Sequence, residues 1–411
     1  MTMLTRYVRT RSGFLRLSLP SAFWCHAPTP VAMITQQQVW TSRDGWTVVH
    51  GDRGPIEAQL VLVFGGGETL EDPGLLAHLA AEYPRAEIVG CSTAGEIGGD
   101  EVRDDSLVAT AIQFDRTGVR VVAESLPDAS ESEAVGQAIA ASLQSPTLGH
   151  VLLFSEGIHV DHMALLQGMA GVLGDAVGIT GGLAGDSVHF RRTLVLAGGT
   201  AETRRVAAVG LYGASLTVGY GTLGGWDPYG PARLVTSSSG CVVHTMDGEP
   251  ALDLFSRYIG EHASALPGSA VRFPFAMRAP GSVGEVVRTV CAVDREARSL
   301  TFAGGVPAGA TLRLMRANVE RLIDAATAAA TASTARMGGG GTALALLVSC
   351  VGRKLLMGAH VDEEVACVRD IIGRDGACTG FYSYGEVAPL RPQTRSELHN
   401  QTMTITTFAE R

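Results

Sequence analysis

The stretch Ile88-Val-Gly-Cys-Ser-Thr-Ala-Gly-Glu-Ile97 decides how the rest of the chain is read. An apolar pair ends in a glycine, small residues and hydroxyls follow, and a carboxylate closes the turn. This composition suits a strand end entering a loop that passes close to another backbone or to a ligand. It lacks the glycine-lysine-serine/threonine ending of a phosphate loop. Ahead of it, Leu60-Val-Leu-Val-Phe64 reads as a buried strand, because its apolar residues are continuous rather than alternating. Gly65 to Glu68 then leads to a helix over residues 73–82 with Leu75, Leu76 and Leu79 on one face. A strand over residues 106–114 closes the segment.

The same arrangement recurs twice. Val151-Leu-Leu-Phe154 is a strand, followed by the loop Ser155-Glu-Gly-Ile-His159, a helix over 161–173, Val177-Gly-Ile179, the turn Thr180-Gly-Gly-Leu-Ala-Gly-Asp186 and a closing strand over 193–197. Ala343-Leu-Ala-Leu-Leu-Val-Ser-Cys350 leads through Gly352 and Arg353 to a helix over 361–372. The loop Cys378-Thr-Gly-Phe-Tyr-Ser-Tyr-Gly-Glu386 follows, then a strand over 402–408. Phe64 precedes Cys91 by 27 residues, Phe154 precedes Ile179 by 25, and Cys350 precedes Cys378 by 28. Each interval holds a crossover helix and a second strand. The long, irregular period between copies excludes a solenoid.

Between the second and third copies the pattern turns antiparallel. Residues 205–222 read as one hairpin, 233–236 with 241–244 as a second, and 286–293 with 300–302 as a third. Helices are expected over 130–143, with Ser130 as cap and Glu133 three residues on, over 250–259 and over 318–333. The run Met337-Gly-Gly-Gly-Gly-Thr342 reads as a flexible linker. The expected fold class is α/β and α+β: repeated strand-helix-strand units, mixed sheets and an antiparallel middle region.

The chain of 411 residues is 46% hydrophobic and 18% charged, enough for a full core. A net charge of −9 argues against nucleic acid as a partner, which would need a basic face. It contains no run of about 18 apolar residues that would span a membrane. Seven scattered cysteines, without a Cys-x-x-Cys pair, indicate reduced thiols in a cytoplasm rather than a disulfide framework or a structural zinc site. Residues 1–32 carry Arg6, Arg9, Arg11 and Arg16 but no acidic residue, and Pro20, Pro28 and Pro30 interrupt any helix. They read as a disordered extension, with Met33 as an alternative start.

Gly90-Cys-Ser-Thr-Ala-Gly-Glu-Ile97, Gly181-Gly-Leu-Ala-Gly-Asp186, Gly385-Glu386, Leu398-His-Asn-Gln-Thr-Met403 and Ser349-Cys-Val-Gly-Arg353 together resemble the paired N- and C-terminal FIST domains. The resemblance runs from about Trp46 to Glu410. It implies an N-type α/β domain over 33–210 and a C-type α+β domain with a closing α/β unit over 211–411. It further implies a cytoplasmic sensory module that binds a small ligand and regulates a partner protein. Some bacterial members of the family are haem proteins that sense nitric oxide and control a sensor histidine kinase in a two-component system. Two ligand readings therefore stay open, haem with nitric oxide or an amino-acid-like metabolite.

In open α/β sheets, ligands bind beyond the carboxyl ends of parallel strands. This directs attention to Cys91, Ser92, Thr93, Glu96, Asp186, Arg353, Tyr382 and Glu386. Their hydroxyls, carboxylates and one guanidinium suit a small polar ligand, with Arg353 able to clasp a carboxylate. The plainer alternative is that Glu96, Asp186 and Glu386 cap backbone amides in tight turns and Arg353 neutralises one of them. His159 and His162, on a strand-to-helix loop, are the best-placed haem or metal ligands. Any haem would be non-covalent, because no Cys-x-x-Cys-His site exists. An enzyme using Cys91 as nucleophile is a further alternative, but no base is tied to it by sequence.

Overall fold

The continuous apolar runs do form parallel pairs. Leu60–Gly65 pairs with Glu87–Ser92, Leu148–Ser155 with Gly178–Leu183, and Leu344–Cys350 with Ala377–Ser383. The helices Pro73–Glu82, His162–Leu173 and Val361–Ile372 lie in the three crossovers. Asp72 and Asp161 start the first two, each accepting two main-chain N–H groups of the opening turn. This computed structural model describes residues 6–10, 13–17, 33–52, 54–282, 284–337, 341–391 and 393–411. Within the N-terminal extension, Arg6–Thr10 pairs antiparallel with Gly13–Leu17. The rest of the expectation for residues 1–32, and most of that for the glycine run after Met337, lies outside the described residues.

One glycine recurs for a steric reason. Gly90, Gly181 and Gly380 sit opposite Val63, Leu153 and Leu347 in the three parallel pairs. A Cβ at any of them would collide with the carbonyl of that partner, so only glycine fits.

After each second strand the chain leaves its own sheet. Glu96–Gly98 of the first unit pairs with Ala377–Ser383 of the third. Glu386–Pro389 of the third pairs with Gly178–Leu183 of the second. Val195–Ala197 of the second pairs with Glu87–Ser92 of the first. The three donations close a ring. Each donated strand folds back as a hairpin, with Glu101–Arg103, Ser396–His399 or Thr200–Glu202. The chain then re-enters its own unit, where Leu107–Gln113, Arg205–Tyr212 or Met403–Glu410 runs antiparallel to the opening strand. Ile34–Thr41, Gly118–Ser125 and Leu216–Leu223 pair beside these return strands, so the three sheets share one strand order.

This exchange corrects two expectations. Val195–Ala197 does not close the second unit; it is the strand given to the first, and Arg205–Tyr212 is the return strand. Residues 205–222 do not form a hairpin, because Arg205–Tyr212 and Leu216–Leu223 belong to different sheets. An apolar run signals burial but not the identity of its partner. The expected boundary at 210/211 falls inside Arg205–Tyr212. The helix expected from residue 130 starts at Ser132, after a short turn capped by Asp128 rather than Ser130.

Phe64, Phe154 and Phe381 meet at the centre of the ring, fully buried, with ring centroids 4.7 to 6.3 Å apart. The antiparallel middle region is an insertion in the third unit, between Leu216–Leu223 and the helix Val319–Thr334. Its curled sheet wraps the helix Ala251–Ile259 and has its own core around Phe255, Phe275 and Phe302. Among the described residues no helix is long and apolar enough to cross a membrane.

Candidate functional site

The three glycine turns do meet. Ala94 N–H donates to the Tyr382 carbonyl and Tyr382 N–H to the Gly95 carbonyl, both at 2.8 Å. Gly185 N–H reaches the Ser92 carbonyl at 2.8 Å, and Leu183 N–H the Gly385 carbonyl at 2.9 Å. The expected pocket between them is filled. A Cβ at Gly182 would stand 2.6 Å from the Val348 side chain and 2.9 Å from the Gly385 carbonyl.

Thr93-Ala-Gly-Glu96 and Ser383-Tyr-Gly-Glu386 close in the same way. Glu96 accepts from the Thr93 hydroxyl, from Ser106 N–H at 3.0 Å and from the Ser106 hydroxyl at 2.8 Å. Glu386 accepts from the Ser383 hydroxyl at 2.8 Å, from Thr402 N–H at 3.1 Å and from the Thr402 hydroxyl at 2.8 Å. Ser106 and Thr402 each precede a return strand, so each glutamate ties the start of a donated strand to the start of a return strand. Burial pushes both carboxyls up to about 7, against the lowering effect of these hydrogen bonds. Their hydroxyl partners three residues earlier are visible in the sequence, whereas Ser106 and Thr402 carry no local signal.

Asp186 occupies the matching point of the second unit but acts differently. Its carboxylate accepts from the N–H groups of Phe190, Arg191 and Arg192 at 2.7 to 2.8 Å, and from the Tyr384 hydroxyl of the third unit's turn. Phe190 stacks on Tyr384 with centroids 4.2 Å apart.

Arg353 does not neutralise any of these turns. It is fully buried against Glu364 of the third crossover helix and also donates to the carbonyls of Gly224, Leu322 and Gln401. Glu364 further accepts from the Tyr382 hydroxyl at 2.9 Å and from Ser349 at 3.2 Å. A crossover-helix acid reaches this guanidinium first because Val361–Ile372 packs directly over the strand end. Ser92 donates to the Gly185 carbonyl and accepts from Leu194 N–H. Thus Ser92, Thr93, Glu96, Arg353, Tyr382 and Glu386 all direct their polar atoms to other parts of the protein.

Cys91 packs in the core with Phe64, Phe154 and Phe381, and burial pushes its thiol well up. A buried, protonated thiol is not an activated nucleophile. These surroundings speak against Cys91 as a nucleophile.

His162 is buried, with Nε2 2.8 Å from the Glu156 carbonyl, and burial pushes its pKa down. His159 is part-exposed, with Nδ1 3.3 Å from the Glu156 carboxylate. An axial haem ligand needs a ring nitrogen facing an open apolar slot. His162 Nε2 is taken by a main-chain carbonyl and His159 Nδ1 faces a carboxylate, so these two ring nitrogens already have partners within the protein. Among the described residues no three His, Cys, Asp or Glu side chains gather as a metal would require.

An open cleft of about 480 Å³ lies elsewhere, lined by Pro73, Leu76 and Ala80 of the first crossover helix and by Leu196, Thr200 and Ala201 of the donated hairpin. Glu71 stands at its edge, held by the Arg192 guanidinium. The two walls of this cleft are more than a hundred residues apart and meet only through the strand exchange, so no local pattern announces it.

The FIST N domain model matches residues 59–249 and the FIST C domain model residues 251–389. The junction falls within the insertion of the third unit. No curated protein matches the chain. FIST domains are sensory signalling domains that bind small ligands. The two matches stand in order and together cover most of the length, and the chain belongs to the FIST family.

Proposed function

We propose that this protein is a ligand-responsive sensory module in which a small, mostly apolar molecule enters the cleft beside Pro73–Glu82, and the ring of exchanged strands passes the change to a partner protein. The observation that carries this reading is the double membership of residues 195–202. They form a wall of the cleft in the first unit, yet they belong to the second. A ligand pressing on Leu196 or Thr200 acts on both units at once. From there the main-chain bonds between turns lead on to the third. A coupling of about 1–3 kcal/mol is ample for a switch.

A sensor histidine kinase or another signalling protein is the expected reader, and a cytoplasmic setting suits the free thiols of Cys91, Cys350 and Cys378. The surroundings of His159 and His162 favour a haem-independent ligand over nitric oxide sensing through haem. Thermal shift across a metabolite panel tests the reading. A ligand at 100 times its dissociation constant adds about 2.7 kcal/mol of stability. The shift should vanish in Ala77→Trp, a change at a further lining residue of the helix wall that fills the cleft. A shift that survives this filling overturns the assignment. A Soret band retained after haemin addition and desalting overturns its haem-independent form.

A further inference from the structure

One edge of the second unit's sheet is left open. Gly118–Ser125 ends that sheet and pairs with Arg205–Tyr212 alone, in regular register from Gly118 opposite Tyr212 to Ser125 opposite Arg205. The same register sets Leu126 opposite Arg204, and Leu126 N–H donates to the Arg204 carbonyl at 2.6 Å. Arg205 faces the other way, its carbonyl accepting from Glu156 N–H. Main-chain groups alternate between the two sides of an antiparallel strand. Arg120, Val122 and Glu124 therefore turn theirs inward, to Arg205–Tyr212. Val119, Val121, Ala123 and Ser125 turn theirs outward, and among the described residues no main-chain hydrogen bond meets them there.

This edge lacks the usual protection against pairing. It is eight residues long and holds no lysine, no proline and no bulge. Other sheet edges differ. Thr200–Glu202 and Glu101–Arg103 are three residues long, and Gly45–His50 pairs in an irregular register. Leu216–Leu223, the counterpart in the third unit, is interrupted by Gly219 and Gly221 and carries no charge. Both faces of Gly118–Ser125 are packed, Val122 on one and Val119, Val121 and Ala123 on the other. The strand is thus held in place while its rim stays bare. Its two charges are also unmatched. Arg120 donates to the Ser142 carbonyl at 2.9 Å and lies over the Tyr212 ring, and both partners are neutral. Glu124 has no ion-pair partner among the described residues, because Arg205 turns to Glu202 and Arg204 to the Pro127 carbonyl.

We propose that this edge joins the same edge of a second copy of the chain, making one continuous antiparallel sheet about a two-fold axis. Charge sets the register. With Val122 opposite Val122 across the axis, Arg120 of each copy stands opposite Glu124 of the other. In that register the outward groups of Val121 meet those of Ala123, and those of Val119 meet those of Ser125, as the alternation requires. Arg120 exchanges a neutral carbonyl for a carboxylate, the stronger partner. Registers that set Arg120 opposite Arg120, or Glu124 opposite Glu124, place like charges together. The surface is separate from the cleft beside Pro73–Glu82 and rests on different residues.

Light scattering of the full chain over a concentration series tests the proposal, and the chain should reach twice its monomer mass. Arg120→Glu and Glu124→Arg should each weaken self-association about tenfold while keeping a cooperative melt, because each sets like charges across the axis twice. An equimolar mixture of the two variants should regain the parent's affinity, since every glutamate then faces an arginine. A merely structural role for either residue would not produce that rescue. Val121→Pro removes an outward N–H and should weaken pairing independently of charge. Should it fail to fold, the two charge variants and their mixture decide alone. A monomer at every concentration, self-association unchanged in the folded variants, or a mixture no tighter than its components overturns the inference. Ala77→Trp should leave the dimer intact, which keeps this test apart from that of the cleft.

Discussion

Glu96 and Glu386 stand at the same point of two equivalent turns, each fixed by a hydroxyl three residues earlier and by the residue that opens a return strand. Their shared burial raises both carboxyls from the ordinary 4.5 to about 7. The folded state therefore holds these protons more strongly than the unfolded chain. Their contribution to stability is complete below about pH 4.5 and is lost as pH rises towards 7. At most about 3 kcal/mol is at stake for each group. Glutamine mimics the protonated acid, since its oxygen can accept from Thr402 while its nitrogen donates to Ser383. Glu386→Gln should melt higher than the parent at pH 8 and flatten the decline between pH 5 and 7. Chemical denaturation across that range checks this. An unchanged slope would show that Glu386 ionises freely in the fold.

The Arg353–Glu364 pair supports a second prediction. Both side chains are fully buried, and Arg353 also binds three carbonyls from separate segments. Glu364→Ala strands the guanidinium and should cost about 3–5 kcal/mol. Arg353→Met combined with Glu364→Leu removes both charges and should recover much of that loss. A double variant no more stable than Glu364→Ala in urea titrations would mean that the carbonyl bonds, not the charge pairing, dominate.

Gly380 gives the simplest steric test. Its missing side chain admits the Leu347 carbonyl of the neighbouring strand, a contact with backbone that cannot rotate away. Gly380→Ala should cost at least about 3 kcal/mol, the upper range for overpacking. Gly99→Ala meets no atom within 4 Å but has a φ of +65°, so it should cost only about 1 kcal/mol. Equal melting temperatures for the two variants would contradict this account.

The sequence was most informative where side-chain pattern and burial coincide. Leu60-Val-Leu-Val-Phe64 and its two counterparts read correctly as strands, because continuous apolar residues need cover on both faces. The Gly-rich turns were also visible, and they do converge. The chain gave no sign of what fills the space between them. Phe154 and Phe381 come from strands more than two hundred residues apart, and no local pattern reports that they touch. The same limit hid the exchange. Val195–Ala197 looks like any short apolar strand, and only the fold shows which sheet receives it. Arg353 looked like a ligand clamp because Glu364, its partner, lies on a helix whose rotation the periodicity did not fix.

The contact between Tyr384 and Asp186 offers a test of whether one turn informs the next. The Tyr384 hydroxyl, from the third unit, donates to the carboxylate that orders residues 187–192 of the second. Those residues lead directly into the strand Val195–Ala197, which the first unit receives. Tyr384→Phe removes one hydroxyl and keeps the ring stacked on Phe190. If the ring of exchanged strands behaves as a coupled device, amide exchange should quicken in 187–192 and also in 195–202, although no residue of the latter touches Tyr384 in these hydrogen bonds. Losing a hydrogen bond to a charged acceptor should cost about 1.5–3 kcal/mol. Were faster exchange confined to 187–192, the turns would be independent caps, and a ligand in the cleft beside Pro73–Glu82 would have no route to the third unit.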